Sequence, residues 1–236
     1  MNEEQIIQQL LVVYSRCQSY EDQGQLETIT DPGTGSERHE RILFRTAFVR
    51  PMLFRFEWRK IDPFTGKSDE TETVWCDGET AFARSRFEIG VQEFDSLDHA
   101  LATATSVWAH VVSALLMPDI LSFKFMRHGN LSSAPDELLF NEECCHLIAN
   151  TEEQRTDILV SKASFALRRM REERIIKGGN VTIPPLPPVL SQEERDEMLR
   201  VLTEAAEDLH TIADCSYTNV IFDRQIPLDV FNPTFT

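Results

Sequence analysis

One stretch constrains the fold more than any other. Ile42, Phe44, Thr46 and Phe48 alternate with Arg41, Leu43, Arg45 and Ala47; a few residues later Met52, Phe54, Phe56 and Trp58 alternate with Arg55, Glu57 and Arg59. Successive strand residues point to opposite faces, so a period of two with this content means strands with one dry, ring-bearing face and one wet, arginine-bearing face. Asp62-Pro63-Phe64-Thr65-Gly66 supplies a turn, and Thr71, Thr73 and Trp75 resume the alternation. Asp77-Gly78 is a dipeptide favoured in two-residue hairpin loops. The expected product is an antiparallel meander.

Helices are expected around it. Asn2 to Ser19 reads as a helix, with Asn2 as cap, Glu3 and Glu4 where the helix dipole favours anions, and Ile6, Leu10, Val13, Tyr14 and Cys17 at helical spacing. A second helix starts at Ser96 and carries Leu97, Leu101, Ala104, Trp108, Val111, Val112 and Leu115 as far as Pro118, followed by a short apolar turn at Ile120 and Leu121. Nearly every residue in it is apolar or small, which predicts burial on most sides. Strands fit Cys145 to Asn150, Thr156 to Lys162 and Phe165 to Ile176. Gly178 to Pro188 is a stiff, donor-poor crossing, and Ser191 to Glu194 is a capping box opening a last helix with Met198, Leu199, Leu202 and Ala206. Ile212 to Phe222 reads as a closing strand. The chain shows no internal repeat.

Charge and composition narrow the function. The chain has 39 Asp and Glu against 23 Lys and Arg, a formal charge of −16 that repels a phosphate backbone, so no nucleic acid is expected. Fifteen Phe and three Trp are too many rings for a solvated coil. No apolar run reaches the roughly 18 residues of a membrane-spanning helix. The five cysteines have no disulfide-framework spacing. Cys144-Cys145-His146 contains zinc-ligand types, but three consecutive strand residues alternate between faces and cannot grip one ion, so no metal or cofactor is expected. Glu142-Glu143, and Glu72 with Glu79, read as solvated acids, and Gly33-Thr34-Gly35-Ser36 reads as a turn. There is no nucleophile-elbow serine and no recognisable catalytic histidine; an enzyme is not expected. The arginines at 41, 45, 55, 59, 168, 169, 171 and 174 form either a basic stripe or, the favoured reading, cross-strand pairs with glutamates.

Several short motifs follow one another in a characteristic order. Arg50-Pro51-Met52-Leu53-Phe54-Arg55-Phe56 precedes Val74-Trp75-Cys76-Asp77-Gly78 at a hairpin's distance. Ser19-Tyr20 with Gly24 follows the first helix; Asn141-Glu142-Glu143 leads into Cys145, and Tyr217-Thr218-Asn219, Ile226-Pro227 and Phe231 close the chain. In this order the chain resembles the bacterial outer-membrane lipoprotein carriers and their uncharacterised relatives (LolA/LolB-like), over nearly its whole length. The resemblance implies an unclosed barrel of curved antiparallel sheet with helices as a lid over an apolar cavity. It further implies that Arg50 ties the sheet to the lid helices by hydrogen bonds and that Phe54 faces the cavity. By the resemblance the compartment is the periplasm or cell envelope; by the sequence as given, which opens without an export signal, it is the cytoplasm.

The expected fold class is therefore α+β: a strongly curved antiparallel sheet forming an open β-barrel with helices in its concave face. Residues 1–236 are read as a single domain, with 177–190 as a Pro-rich crossing inside it. Phe44, Phe48, Phe54, Phe56, Trp58, Trp75, Trp108 and Leu115 are the expected cavity lining, and Arg50 the lid contact. The expected function is non-catalytic carriage or sensing of an apolar ligand, a lipid or acylated peptide, by a monomer whose further partners are a lipoprotein or a membrane-associated protein. Burying a methylene gains ~0.8 kcal/mol, so a long acyl chain brings on the order of 10 kcal/mol before association and lid movement are offset. The competing expectation is a protein-interaction module whose barrel is filled by its own helices and whose partner docks on the outer, arginine-bearing sheet face.

Overall fold

The computed structural model describes residues 1–31, 37–62, 65–85, 90–104, 110–119, 130–176 and 209–232. Within them the chain runs α1 (Glu3–Arg16), β1 (Ser19–Asp31), β2 (Arg38–Val49), β3 (Leu53–Ile61), β4 (Glu72–Asp77), β5 (Ala81–Arg84), β6 (Gln92–Phe94), α2 (Leu97–Ala104), α3 (His110–Leu116), β7 (Asn130–Leu139), β8 (Glu142–Asn150), β9 (Gln154–Ser161), β10 (Leu167–Ile176), β11 (Leu209–Phe222) and a 3-10 turn, Leu228–Phe231. The glycine turn at 33–36, the apolar turn at Ile120 and Leu121, the Pro-rich crossing and the helix expected from Ser191 lie outside the described residues.

Helix α1 begins where its cap dictates. The Asn2 side chain accepts from the Gln5 amide at 2.9 Å and the Gln5 side chain accepts from the Asn2 amide at 3.0 Å, which satisfies two of the donors a helix start leaves open. Its buried stripe is Ile6, Leu10 and Tyr14, which fixes the side that must lie on the sheet.

All eleven strands join one sheet in the order β6-β5-β4-β3-β2-β1-β11-β10-β9-β8-β7, each neighbouring pair antiparallel. The first half of the chain builds one wing outward from β1. The second half starts at the far edge with β7 and returns until β11 pairs with β1. Strands β6 and β7 are the two edges, so the barrel is open, and the expected curved antiparallel architecture with helices is the one observed.

The register sorts the side chains between two faces. Leu26 lies opposite Ile42 on β2 and Cys215 on β11, and the row continues through Met170, Ile158 and Leu147. These residues share one apolar cluster with Ile6, Leu10 and Tyr14 of α1, Leu97 and Leu101 of α2, and Val111 and Leu115 of α3. That is the helix-bearing face. On the opposite face the C-terminal residues Ile226 and Phe231 pack on Ala47, and Arg55 Nη1 donates to the Val230 carbonyl at 2.7 Å.

Gly24 shows why this register needs a missing side chain. It lies opposite Phe44, whose ring crosses β1 to meet Tyr217 with centroids 5.6 Å apart. A Cβ on Gly24 would sit 2.5 Å from the Ser216 carbonyl oxygen and closer still to the Phe44 ring.

Four features differ from expectation. β1, β6 and β7 are strands that the periodicity does not mark, and the two-residue loop after β4 is Gly78–Glu79, one residue later than Asp77-Gly78: the Asp77 amide donates to the Thr80 carbonyl at 3.3 Å, and the Thr80 and Glu79 amides donate to the Asp77 side chain at 2.9 and 3.1 Å. Gly78 there has φ +109, a conformation glycine adopts without strain.

Candidate functional site

Arg50 stands at the seam between helices and sheet. It follows β2, and its amide donates to the Gln18 carbonyl at 2.9 Å. Its Nε donates to the Cys17 carbonyl at 2.7 Å, and Nη2 donates to the carbonyls of Tyr14 at 3.0 Å and Leu116 at 2.9 Å. Helix C-termini leave carbonyls without partners, and a planar guanidinium can serve several of them at once. One side chain therefore joins the ends of α1 and α3 to the β2–β3 hairpin. It also sits 5.3 Å from the centroid of the Phe48 ring.

Six of the expected lining residues meet on the helix-bearing face. Phe48 and Phe54 are fully buried, Phe56, Trp58 and Leu115 nearly so, and Phe44 packs against them from a half-buried position. Phe44 stacks on Phe56 at 5.7 Å and Phe56 on Trp58 at 5.5 Å, a ladder running over β2 and β3. Trp75 does not belong to this group. It lies opposite Arg55, whereas its neighbours Val74 and Cys76 lie opposite Phe56 and Phe54; its side chain therefore faces the other way and stacks on Phe82 at 5.2 Å. Trp108 lies outside the described residues.

Beneath α1 the apolar cluster encloses a polar group that carries no signal in the sequence. Asp22 is 3% exposed and lies on the helix-bearing side of β1. It accepts from the Tyr20 hydroxyl at 2.7 Å and from the Thr46 amide at 2.9 Å, and neither donor is a cation. Burial pushes its carboxyl up to about 6 against those two hydrogen bonds. The Tyr20 ring packs 5.3 Å from Tyr14, whose hydroxyl accepts from the Leu167 amide at 3.2 Å.

The other face is polar and cross-linked. Glu57 accepts from both Arg45 and Arg55, Arg41 pairs with Glu27 at 3.7 Å, and Arg169 pairs with Asp214. Further along, His146 lies between Glu137 (2.9 Å) and Asp157 (2.8 Å), which joins β7, β8 and β9. A cavity of about 740 Å³ opens on this face over β1 to β5 and β11, with Gln25, Leu43, Arg45, Arg55 and Arg59 in its wall. Phe44 and Trp58, placed by the register on the helix-bearing side, also border it.

Nucleophilic and metal chemistry find no support in the cysteines. Burial pushes the Cys17 and Cys144 thiols up to about 11 and the Cys215 thiol up to about 12, so they remain protonated near neutrality. Cys144 lies opposite Ser161 and Cys145 opposite Val160, so the pair diverges to opposite faces. Among the described residues no group of His, Cys, Asp and Glu could hold a metal ion, and no helix is long and apolar enough to cross a membrane.

No family model and no curated protein matches the chain. Among solved structures it is similar to a LolA superfamily protein from Nitrosomonas europaea, at 12% identity and TM-score 0.34, over 98% of this chain and 97% of that one. It is similar to MucB at 8% identity and TM-score 0.46, over 98% of this chain and 62% of MucB. It is also similar to a DUF1329 family protein from Desulfovibrio piger at 10% identity and TM-score 0.35, over 97% of this chain and 96% of that one.

Proposed function

We propose that this chain is a non-catalytic carrier or sensor of an apolar ligand, a lipid or an acylated peptide, received between the helices and the ring-bearing face of the sheet. One observation carries the reading: a continuous apolar cluster spans the sheet beneath α1, α2 and α3, while one guanidinium, that of Arg50, donates to carbonyls at the ends of both α1 and α3. Three hydrogen bonds to main-chain carbonyls form a joint that can break and re-form without disturbing the strand pairing. Once the helices move, Phe44, Phe54, Phe56 and Trp58 offer an acyl chain a ladder of rings at ~0.8 kcal/mol per buried methylene. No polar anchor is needed for affinity, and by the sequence resemblance the place of work is the cell envelope.

Mass spectrometry of an organic extract of the purified protein tests this, with Phe54→Glu as the comparison. Carriage requires an extractable apolar molecule that the variant loses while keeping its circular dichroism; identical extracts from both proteins remove the reading.

A second reading has its own observation. Phe48, Phe54, Phe56 and Trp58 are packed to 8% exposure or less, whereas the cavity of about 740 Å³ on the arginine-bearing face is open as it stands. Under this reading the helices are permanent filling, and a partner protein docks on the opposite side of the sheet.

A further inference from the structure

The cavity on the arginine-bearing face is ordered by the sheet register. Arg59, Leu43, Gln25 and Ser216 form one transverse row, and Glu57, Arg45, Gln23 and Thr218 form the next. Thr73 extends the second row from Glu57, and Arg84 extends it from Thr73. The arginines of the wall therefore all come from β2, β3 and β5, while the β1 and β11 end is lined by amides and hydroxyls.

The charge of this wall runs against that of the whole chain. Leaving Arg84 aside, three arginines (Arg45, Arg55 and Arg59) face one carboxylate, that of Glu57, an excess of two positive charges in a protein whose formal charge is −16. Glu57 is 6% exposed and already accepts from two guanidinium groups, Arg45 and Arg55. Arg59 is exposed and has no ion-pair partner among the described residues. The Arg55 Nε is buried with no hydrogen-bond partner. The wall is short of negative charge, and a ligand bearing it would complete the set.

The rest of the wall selects among anions. Gln23, Gln25, Thr71, Thr73, Ser216 and Thr218 present donors and acceptors beside the apolar Leu43, Phe44 and Trp58. A hydrocarbon tail laid there would cost them their water and return no hydrogen bond. A peptide backbone, with its own donors and acceptors, would replace that water. The wall draws on six adjacent strands, roughly five spacings of ~4.8 Å, which is the length of about seven extended residues. Phe140 also lines the cavity, 54% exposed on the β7–β8 turn with φ +52, a left-handed conformation a bulky residue rarely adopts.

We propose that this groove binds an extended acidic segment of a partner protein, its carboxylates on Arg45 and Arg59, its backbone along Gln23, Gln25 and Ser216, and an apolar side chain against Phe140. The inference deepens the second reading above and rests on it.

Fluorescein-labelled decapeptides of acidic, neutral and basic composition, titrated into the full chain by fluorescence anisotropy at 50 and 300 mM NaCl, test it. The acidic peptide is expected to bind at least tenfold more tightly than the neutral one and to lose about tenfold in affinity at the higher salt. Arg59→Gln should weaken it several-fold, and Gln25→Trp, which fills the groove without changing its charge, should abolish binding. Arg171→Gln, on β10 outside this cavity, should leave it unchanged. Acidic-peptide binding untouched by Gln25→Trp overturns the inference. Preferential, salt-insensitive binding of the neutral peptide, blocked by Gln25→Trp, overturns the acidic assignment while leaving partner docking on this face intact. No binding by any peptide at millimolar concentration overturns both.

Discussion

Asp22 gives the structure its most quantitative prediction. A carboxyl that titrates at about 6 in the folded protein and near 3.8 when unfolded binds its proton more tightly in the fold. Stability is then highest below pH 4 for this group and falls as pH rises through 6, because only the unfolded chain ionises it without cost. The difference between the two values corresponds to about 3 kcal/mol, fully lost above pH 7. Asp22→Asn removes the titration and keeps the geometry: the new side-chain carbonyl can still accept from the Thr46 amide, and the new amide can donate to the Tyr20 oxygen. Urea unfolding of both proteins from pH 4 to pH 8 should show the stability difference moving toward the variant by about 3 kcal/mol, with a slope near 1.4 kcal/mol per pH unit between 4 and 6 and a plateau above 7. In thermal scans the same shift is about 6–12 °C for a domain of this size. A stability difference between the parent chain and the Asp22→Asn variant that does not change with pH would refute the assignment of a buried carboxylate without a cationic partner.

Three other substitutions follow from specific contacts. Gly24→Ala should cost about 2–3 kcal/mol in chemical denaturation, since the new methyl meets the Ser216 carbonyl, a backbone atom that cannot swing away as a side chain can. Arg50→Leu should remove the guanidinium from the Tyr14, Cys17 and Leu116 carbonyls and speed hydrogen exchange in residues 111–117 by tenfold or more; Arg50→Lys should restore only part of the protection, because one nitrogen would have to reach carbonyls that the guanidinium serves from two separated atoms, Nε and Nη2. Phe54→Glu should abolish uptake of an apolar fluorescent probe, while Trp75→Leu should leave uptake unchanged, as the two side chains lie on opposite faces of the sheet.

How much of this is legible in the sequence depends on which physical signal each residue carries. Phe44, Phe48, Phe54, Phe56 and Trp58 announce their face by strict alternation, and the register keeps them together. Trp75 misleads because alternation read along β3 does not carry over to β4: a hairpin's register is set by its turn, and shifting it by one residue reverses every side chain. β1 escapes notice because its helix-bearing positions include Asp22 and Gly24, neither of which reads as a dry face; the first is held by local hydrogen bonds and the second makes room for a ring. β7 escapes because it is an edge strand, largely exposed and interrupted by Pro135 at an irregularity between Ala134 and Glu137, where a strand tolerates proline. Arg50 carries no periodic signal at all; only the neighbouring motif marks it. The cavity on the arginine-bearing face is invisible for another reason: its wall is assembled from strands far apart in sequence, and its arginines read mainly as partners for glutamates.

Photo-crosslinking locates an apolar chain received beneath the helices. A diazirine-bearing fatty acid, irradiated with the protein and mapped by peptide mass spectrometry, is predicted to label residues 54–58 and 111–117 from opposite sides of one seam. Labelling confined to the arginine-bearing side, or none above a scrambled-label control, would contradict the account.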